Sequence, residues 1–280
     1  MALTVYRVKR SGFALMVFLL LVILAVVTIF PFFWALSSSF KIKQDIIGAG
    51  FSLLPRRWTL DNYRDVFIRA PFMTFFLNSI LVSTVATVFA LITSISAGYV
   101  FAKFKFPTKN FWFILILGTL MMPIQVYVIP IFLTMKVVGL INTLPVLIIP
   151  WIIMSSGIFF LRQNIEQIPD ELIDAARIDG CSEYRVLVWL ITPLVKAAAV
   201  AIGIISFRAV WNEFFWPLIA INDVEKFTVN LGMMYFQRQF TIEYAINMAA
   251  ALISSVPPLA MFVVFRRQIL ENISLGGLKL

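Results

Sequence analysis

The chain alternates between long apolar runs and shorter polar stretches. A helix that crosses the hydrocarbon core of a bilayer needs about 20 mostly apolar residues, and six runs are that long or nearly so. In chain order they are Phe13–Leu36, Phe75–Phe101, Phe111–Met135, Leu144–Leu161, Leu194–Ile221 and Tyr244–Phe265. The pattern predicts an all-α membrane protein with six transmembrane helices. An even number of spans places both termini on one side of the membrane.

Two prolines, Pro123 and Pro130, lie inside the third run. Each proline removes a backbone hydrogen bond from a helix, and in hydrocarbon the freed carbonyl needs a partner on another helix or in a wet cavity. The sequence therefore predicts a bent third span, whose bend serves either packing alone or a water-lined path.

Basic residues beside the apolar runs indicate the topology. Lysine and arginine are enriched in cytoplasmic loops, which here favours cytoplasmic N- and C-termini. The supporting residues are Arg7, Lys9, Arg10, Lys103, Lys105, Lys109, Arg266 and Arg267. The loop after the first run does not fit, because this topology puts its many basic residues outside. They are Lys41, Lys43, Arg56, Arg57, Arg64 and Arg69.

Composition narrows the class of protein. With 61% hydrophobic and 13% charged residues, the chain is far from a soluble globular domain. The net charge of +9 lies mostly beside the apolar runs and does not indicate nucleic-acid binding. The absence of histidine and the single cysteine, Cys181, exclude a zinc site or a Cys–His nucleophile pair. We expect a non-enzymatic protein without a metal site.

The segment between the fourth and fifth runs, Ile165–Leu194, is charged and amphipathic. Pro169 suits a first helical turn, and Gly180 suits a left-handed residue that ends the helix. Ser182 can then cap a second helix that extends to about Leu190. The segment predicts a protruding pair of short helices, which either docks another protein or lies on lipid as an interfacial helix.

The order of residues in this segment resembles the EAA loop of binding-protein-dependent importer permeases. That family's pattern is EAA, three residues, G, nine residues and I-x-L-P. The residues that match its positions are Asp174, Ala175, Ala176, Gly180, Leu190, Thr192 and Pro193. Three of them differ mildly from the family, since Asp174 replaces Glu, Leu190 replaces Ile and Thr192 replaces Leu.

Further patches resemble the carbohydrate-uptake group of that family, particularly permeases similar to the smaller maltose permease. They are Ser38-Ser39-Phe40-Lys41, Asn78-Ser79, Met121–Pro130, Gly139–Thr143, Trp211–Leu218 and the C-terminal tail. The resemblance implies six transmembrane helices with a cytoplasmic coupling loop between the fourth and the fifth. It divides the chain into a first helix and outer loop (1–74), a transmembrane core (75–266) with its coupling loop (163–193), and a cytoplasmic tail (267–280).

The same resemblance implies an importer of sugars or related polar solutes in the bacterial cell (inner) membrane. Its partners would be a second, homologous permease in a heterodimer, a dimer of ATP-binding subunits and an extracytoplasmic solute-binding protein. ATP and magnesium would belong to the ATPase, because this chain has no phosphate-binding loop G-x-x-x-x-G-K-[ST]. The residues that would couple to the ATPase are Glu171, Asp174, Ala175, Ala176, Asp179 and Gly180.

Polar residues within the apolar runs are candidates for the translocation path: Gln125, Arg208, Asn212 and Asn247. Arg208 lies near the middle of the fifth run, where a buried charge is costly and needs a reason. It either contacts polar groups of the solute or forms a structural ion pair between helices. Glu213 is five residues away, about 140° around a helix, so a direct pair of the two is not expected.

An ion-coupled secondary transporter is the alternative function. Such carriers use buried carboxylates or broken helices as a coupling-ion site. Only Glu213 is a plausible intramembrane acid in this sequence, which favours the ATP-driven class.

Overall fold

The computed structural model describes the backbone of residues 2–47, 52–239 and 244–277, and the side chains of residues 13–46, 52–234 and 244–265. All regular secondary structure in these residues is helical. The helices are α1 (Ala2–Ser39), α2 (Lys43–Ile47), α3 (Asp61–Arg69), α4 (Phe72–Lys103), α5 (Lys109–Thr119), α6 (Ile124–Val137), α7 (Leu144–Ile148), α8 (Ser155–Glu166), α9 (Asp170–Ile178), α10 (Glu183–Arg185), α11 (Thr192–Leu194), α12 (Lys196–Trp211), α13 (Phe215–Ala220), α14 (Val229–Gln239) and α15 (Tyr244–Gly277). Short 3₁₀ turns cover Ile149–Trp151 and Val224–Lys226, and a π-helical segment covers Val186–Ile191.

Three stretches of single helix are long and apolar enough to cross a membrane: Phe13–Ser39, Phe72–Lys103 and Tyr244–Phe265. Three pairs of bent helices meet the same criterion as pairs. They are Lys109–Thr119 with Ile124–Val137 at 102°, Leu144–Trp151 with Ser155–Glu166 at 41°, and Glu183–Leu194 with Lys196–Trp211 at 82°. Counting each pair as one span gives up to six spans in the described residues.

The bend in the third predicted span is present. Residues 120–123 separate α5 from α6, and Pro123 is the extended residue before α6 begins. Pro130 lies inside α6 without ending it. The fifth run differs from the prediction, because α12 ends at Trp211 and α13 starts only at Phe215.

The chain divides into two units, Met1–Ala70 with Phe236–Ser254, and Pro71–Tyr235 with Ser255–Leu280. In the first unit, Lys41 follows α1 and is 1% exposed. Its Nζ donates to the carbonyl of Ser52 at 2.5 Å and lies 4.1 Å from the centroid of the Trp34 ring. Burial lowers the pKa of Lys41, and the nearby Asp45 carboxylate partly opposes that shift. One of the basic residues that conflicted with the predicted topology is therefore a buried structural residue.

In the second unit, α4 packs along α8 and α12. Its N-terminal half contributes Val82 and Ala86 to a buried cluster with Trp216, whose Nε1 donates to the carbonyl of Val146 at 2.8 Å. Its C-terminal half contributes Tyr99 to a second buried cluster, which also includes Leu161. One uninterrupted helix thus supports two separate cores.

Polar contacts hold the N-terminal end of α4 to the segment before α14. The Asn78 amide donates to the carbonyls of Glu225 and Phe227 at 2.8 and 3.0 Å. The hydroxyl of Ser79 accepts a hydrogen bond from the backbone N–H of Val229 at 2.8 Å. The polar pair that opens the second span therefore satisfies backbone groups that would otherwise be unpaired.

Candidate functional site

The charged loop between α8 and α12 has the predicted local fold. Helix α9 starts directly after Pro169 and ends at Ile178. Gly180 follows with φ of +81°, a left-handed conformation that favours glycine. The hydroxyl of Ser182 accepts a hydrogen bond from the N–H of Arg185 at 3.4 Å and caps the next helix.

The second helix of the loop contains a feature that the sequence analysis missed. After α10 the chain passes into a π-helical turn, Val186–Ile191, before α11. Proline has no N–H for the preceding turn, and Pro193 lies in the first turn of α11. Pro193 thus donates no backbone hydrogen bond to this turn, but the side-chain hydroxyl of Thr192 donates to the carbonyl of Leu187, five residues earlier, at 2.8 Å. The wider turn therefore coincides with an interrupted ladder of backbone hydrogen bonds.

One apolar side chain anchors α9 to the helical bundle. Ile173 is 2% exposed and belongs to the buried cluster that includes Tyr99, Leu161 and Ile165. Ala176 is half-buried and packs against the same cluster. The inner face of this short helix is thus fixed by contacts with α4 and α8.

An ion pair joins the start of α9 to the end of α4. Lys103 Nζ lies 2.6 Å from Asp170 Oδ1 and also donates to the carbonyl of Ile168. The lysine side chain is 7% exposed, whereas the aspartate is 76% exposed. The hydrogen bond from Lys103 holds the pKa of Asp170 below its ordinary value.

A second polar cluster joins the end of α9 to the start of α10. Arg177 Nε donates to Glu183 Oε1 at 2.8 Å, and its Nη1 donates to Asp174 Oδ1 at 3.1 Å. The hydroxyl of Tyr99 donates to Glu183 Oε2 at 2.7 Å. These contacts lower the pKa of Glu183, chiefly through Arg177, and the same hydrogen bond raises the pKa of Arg177.

The outer face of α9 is left exposed. Of the six residues predicted to couple to an ATPase, five are exposed and one, Ala176, is half-buried. The five exposed ones are Glu171, Asp174, Ala175, Asp179 and Gly180. Apolar side chains also lie at this surface, since Leu172 is 47% exposed and Ile178 is 86% exposed. A Cβ added at Gly180 would meet no atom within 4 Å.

Four residues hold the loop through contacts that the sequence did not predict. They are Tyr99, Lys103, Arg177 and Glu183. Opposite charge was the available signal, but Tyr99 and Glu183 are 84 positions apart in the chain. Sequence spacing alone does not show that they meet.

The residues predicted to line a translocation path lie at several places. Arg208 is exposed in the last turn of α12, not near the middle of a span, and Asn212 follows one turn later. A direct pair of Glu213 with Arg208 was not expected, and Glu213 Oε1 accepts instead from the backbone N–H of Trp216 at 3.0 Å. Gln125 is exposed at the start of α6. Asn247 is half-buried in α15, within the first unit.

Other predicted features fall beyond the described side chains. The basic residues Arg7, Lys9, Arg10, Arg266 and Arg267 are among them. The backbone of the predicted tail, 267–280, continues α15 as far as Gly277. The predicted division at residues 74 and 266 remains a prediction.

Several helices or bent helix pairs long and apolar enough to cross a membrane place the chain among multi-pass membrane proteins. Residues 90–272 match the family model described as "Binding-protein-dependent transport system inner membrane component". The chain belongs to this family of ABC transporter permeases, which are non-catalytic membrane subunits. The resemblance inferred from the loop is thereby confirmed.

Curated relatives match over nearly their whole length. The chain is 33% identical over 259 residues to an arabinooligosaccharides transport system permease protein of Halalkalibacterium halodurans, covering 91% of this chain and 93% of the relative. It is 30% identical to a diacetylchitobiose uptake system permease protein of Streptomyces coelicolor, covering 92% and 86%. It is also 30% identical to an sn-glycerol-3-phosphate transport system permease protein of Escherichia coli, covering 88% and 91%.

A solved structure shares the fold. A chain of a bacterial ABC transporter involved in import of the acidic polysaccharide alginate superposes with a TM-score of 0.83, at 21% identity, covering 91% of this chain and 95% of that one. The predicted all-α membrane fold is thereby confirmed.

Proposed function

We propose that this chain is one permease subunit of an ATP-driven, binding-protein-dependent importer of a sugar or related polar solute. It forms half of the translocation path and receives the movement of a cytoplasmic ATPase through α9. The observation that carries the proposal is the form of α9, which is fixed to the bundle on its inner face and open on its outer face.

The contacts of α9 suit it to transmit force. A helix of nine residues is too short to be stable alone in water, so its order depends on its anchors. Lys103 holds its start, Ile173 its middle, and Arg177 with Glu183 its end. A partner that pulls or pushes α9 therefore also moves α4. ATP binding can favour one permease conformation only through such differential contacts.

The outer face of α9 favours a protein partner over a lipid surface. Helices that lie on membranes are typically rich in lysine and arginine on their polar face, which attracts anionic lipid. Here the exposed charges include Glu171, Asp174 and Asp179, while Arg177 is engaged with carboxylates. Exposed Leu172 and Ile178 add an apolar surface for a protein partner to bury.

The partners follow from the same proposal. ATP and magnesium are bound by a dimer of ATPase subunits, and a second, homologous permease completes the path as a heterodimer. An extracytoplasmic solute-binding protein delivers the solute. In support, one structural neighbour was solved as an alginate transporter in complex with a pentasaccharide-bound periplasmic protein. The names of the relatives favour oligosaccharides, with glycerol phosphate as a further member of the solute class.

The topology and the path complete the proposal. Both termini and α9 lie on the cytoplasmic side of the bacterial cell membrane. Gln125, Arg208, Asn212 and Asn247 border the path. The exposed position of Arg208 at the end of α12 is compatible with solute contact.

Substitution of Gly180 tests the coupling role. Proline fixes φ near −65°, which is incompatible with the observed +81°, whereas asparagine tolerates the left-handed region. We expect Gly180→Pro to abolish ATP-driven uptake while the permease still inserts and assembles. Gly180→Asn, the matched control, should retain most uptake.

The readouts are ATP hydrolysis by the reconstituted complex, stimulated by the loaded binding protein, and solute uptake into the same vesicles. Uncoupling appears as hydrolysis that no longer responds to the binding protein. Full uptake by Gly180→Pro at normal expression would refute the coupling role of α9.

A further inference from the structure

A cavity of about 490 Å³ lies in the second unit, where two breaks in apolar spans meet. Residues of the bend between α5 and α6 form one side, including Thr119 and Met122. Residues of the bend before α8 form another, including Trp151 and Met154. Its volume lies within the usual range of small-molecule sites, about 300–1,000 Å³.

The position of the cavity is informative because of the backbone that surrounds it. Non-helical backbone within a membrane is tolerated only where protein buries it or where it lines a water-filled space. Here two bends, of 102° and 41°, open onto the same cavity. A polar solute that crosses the membrane needs such a space.

The lining chemistry matches a sugar ring. Tyr127 and Trp151 supply two aromatic side chains, and aromatic faces pack against the apolar C–H faces of sugars. Thr119 Oγ1 and Ser155 Oγ lie 2.6 Å apart, and hydroxyl groups can both donate to and accept from sugar hydroxyls. None of the described residues that line the cavity carries a charge.

That absence of charge among the lining residues decides the kind of solute. An anion that binds in this cavity loses part of its hydration and finds no arginine or lysine among the lining residues to replace it, which is costly. A neutral sugar loses only hydroxyl–water hydrogen bonds, which Thr119 and Ser155 can replace. Arg208 is not among the lining residues, so the cation predicted for the path does not serve this cavity.

We propose that this cavity is a binding subsite for a neutral sugar ring, formed by Trp151, Tyr127 and the hydroxyl pair Thr119–Ser155. This proposal rests on the proposed importer function. It narrows the solute to uncharged oligosaccharides and excludes phosphorylated solutes and uronates. Trp151 and Tyr127 stack on the ring, and the hydroxyl pair orients it.

The test measures direct binding of solute probes to the assembled complex in lipid nanodiscs, without ATP and without the binding protein. Binding is detected by saturation-transfer NMR. The neutral probes are arabinotriose, maltotriose and diacetylchitobiose. The anionic probes are sn-glycerol 3-phosphate and an alginate trisaccharide. We expect at least one neutral probe to bind and neither anion to do so.

Three variants assign the binding to this cavity. Tyr127→Ala and Ser155→Ala should each lower the affinity for the neutral probe about five- to tenfold, since loss of one aromatic contact or one hydrogen bond has roughly that effect. Trp151→Phe should retain most binding because it keeps a ring. Trp189→Ala is the matched control and should change nothing, because Trp189 is 79% exposed and does not line the cavity.

Two results would overturn the proposal. One is binding of an anionic probe that Tyr127→Ala removes. The other is that no neutral probe shows binding sensitive to Tyr127 and Ser155. ATP-driven uptake with the Gly180 variants is measured separately. If uptake depends on ATP but no neutral probe shows binding that the Tyr127 and Ser155 variants weaken, the subsite alone is refuted. If uptake by the wild-type complex does not depend on ATP, the importer function is refuted.

Discussion

Truncation of Ile173 should loosen α9 without unfolding the permease. Ile173 is the one residue of α9 that is fully buried, at 2% exposure. Ile173→Ala removes its contacts with the cluster around Tyr99 and Leu161. The polar anchors at both ends of α9 remain, so the helix should still form but open more often.

The magnitude follows from burial. Removing a buried isoleucine side chain down to alanine typically costs about 2–5 kcal/mol. If opening of α9 exposes Ile173, the equilibrium between open and docked α9 shifts by roughly 30-fold or more, at about 1.4 kcal/mol per factor of ten. Ile173→Val should shift it only about two- to tenfold, because that change typically costs about 0.5–1.5 kcal/mol.

The assay is hydrogen exchange of the α9 amides in the permease complex, measured by mass spectrometry. Exchange of α9 should accelerate by the stated factor in Ile173→Ala, and exchange of α4 should not change. Leu172→Ala is the control on the neighbouring residue. Since Leu172 is 47% exposed, its truncation should leave exchange unaltered while it weakens association with the ATPase. Equal acceleration by both variants would refute the reasoning.

Two further predictions concern packing and pH. A Cβ at Gly232 would lie 2.1 Å from a ring carbon of Phe75, so Gly232→Ala should lower the melting temperature of the purified protein. Gly118→Ala, where a Cβ meets nothing within 4 Å, should not, and equal melting of the two variants would contradict the packing argument. The contacts of Glu183 lower its pKa below the ordinary carboxyl value of 4.5. These contacts therefore stabilise the loop fully at pH values above 4.5. The stabilisation is lost as the pH falls through the lowered pKa of Glu183. Exchange of the loop amides should therefore accelerate as the pH falls below 4.5, after correction for intrinsic rates. Glu183→Gln should reduce that dependence, and an unchanged profile in this variant would exclude Glu183 as the titrating group.

Local features of the fold could be predicted because they depend on neighbouring residues. Pro123 indicated the bend of the third span, and Pro169 and Gly180 indicated both ends of α9. These residues restrict their own backbone angles whatever surrounds them. Sequence alone is sufficient for features of this kind.

Contacts between distant parts of the chain could not be predicted in this way. Ala175 and Ala176 have the same side chain, yet one is exposed and the other faces the core. The 41° break at 152–154 has no proline within it. Arg208 looked central only because the apolar run continues past the end of α12. The place of each was decided by tertiary packing, which hydropathy does not encode.

Helix α4 has no proline or break along its 32 residues. The three apolar helix pairs of the same unit are instead bent where their two helices join. Lys103 at one end holds the loop that carries α9, and Asn78 near the other holds residues 225–227. The rise of 1.5 Å per residue separates these two attachments by about 37 Å, so a tilt of about 10° about one of them displaces the other by about 6 Å. The helix is a stiff lever arm, because a small rotation about one attachment displaces the other by more than the height of a helical turn.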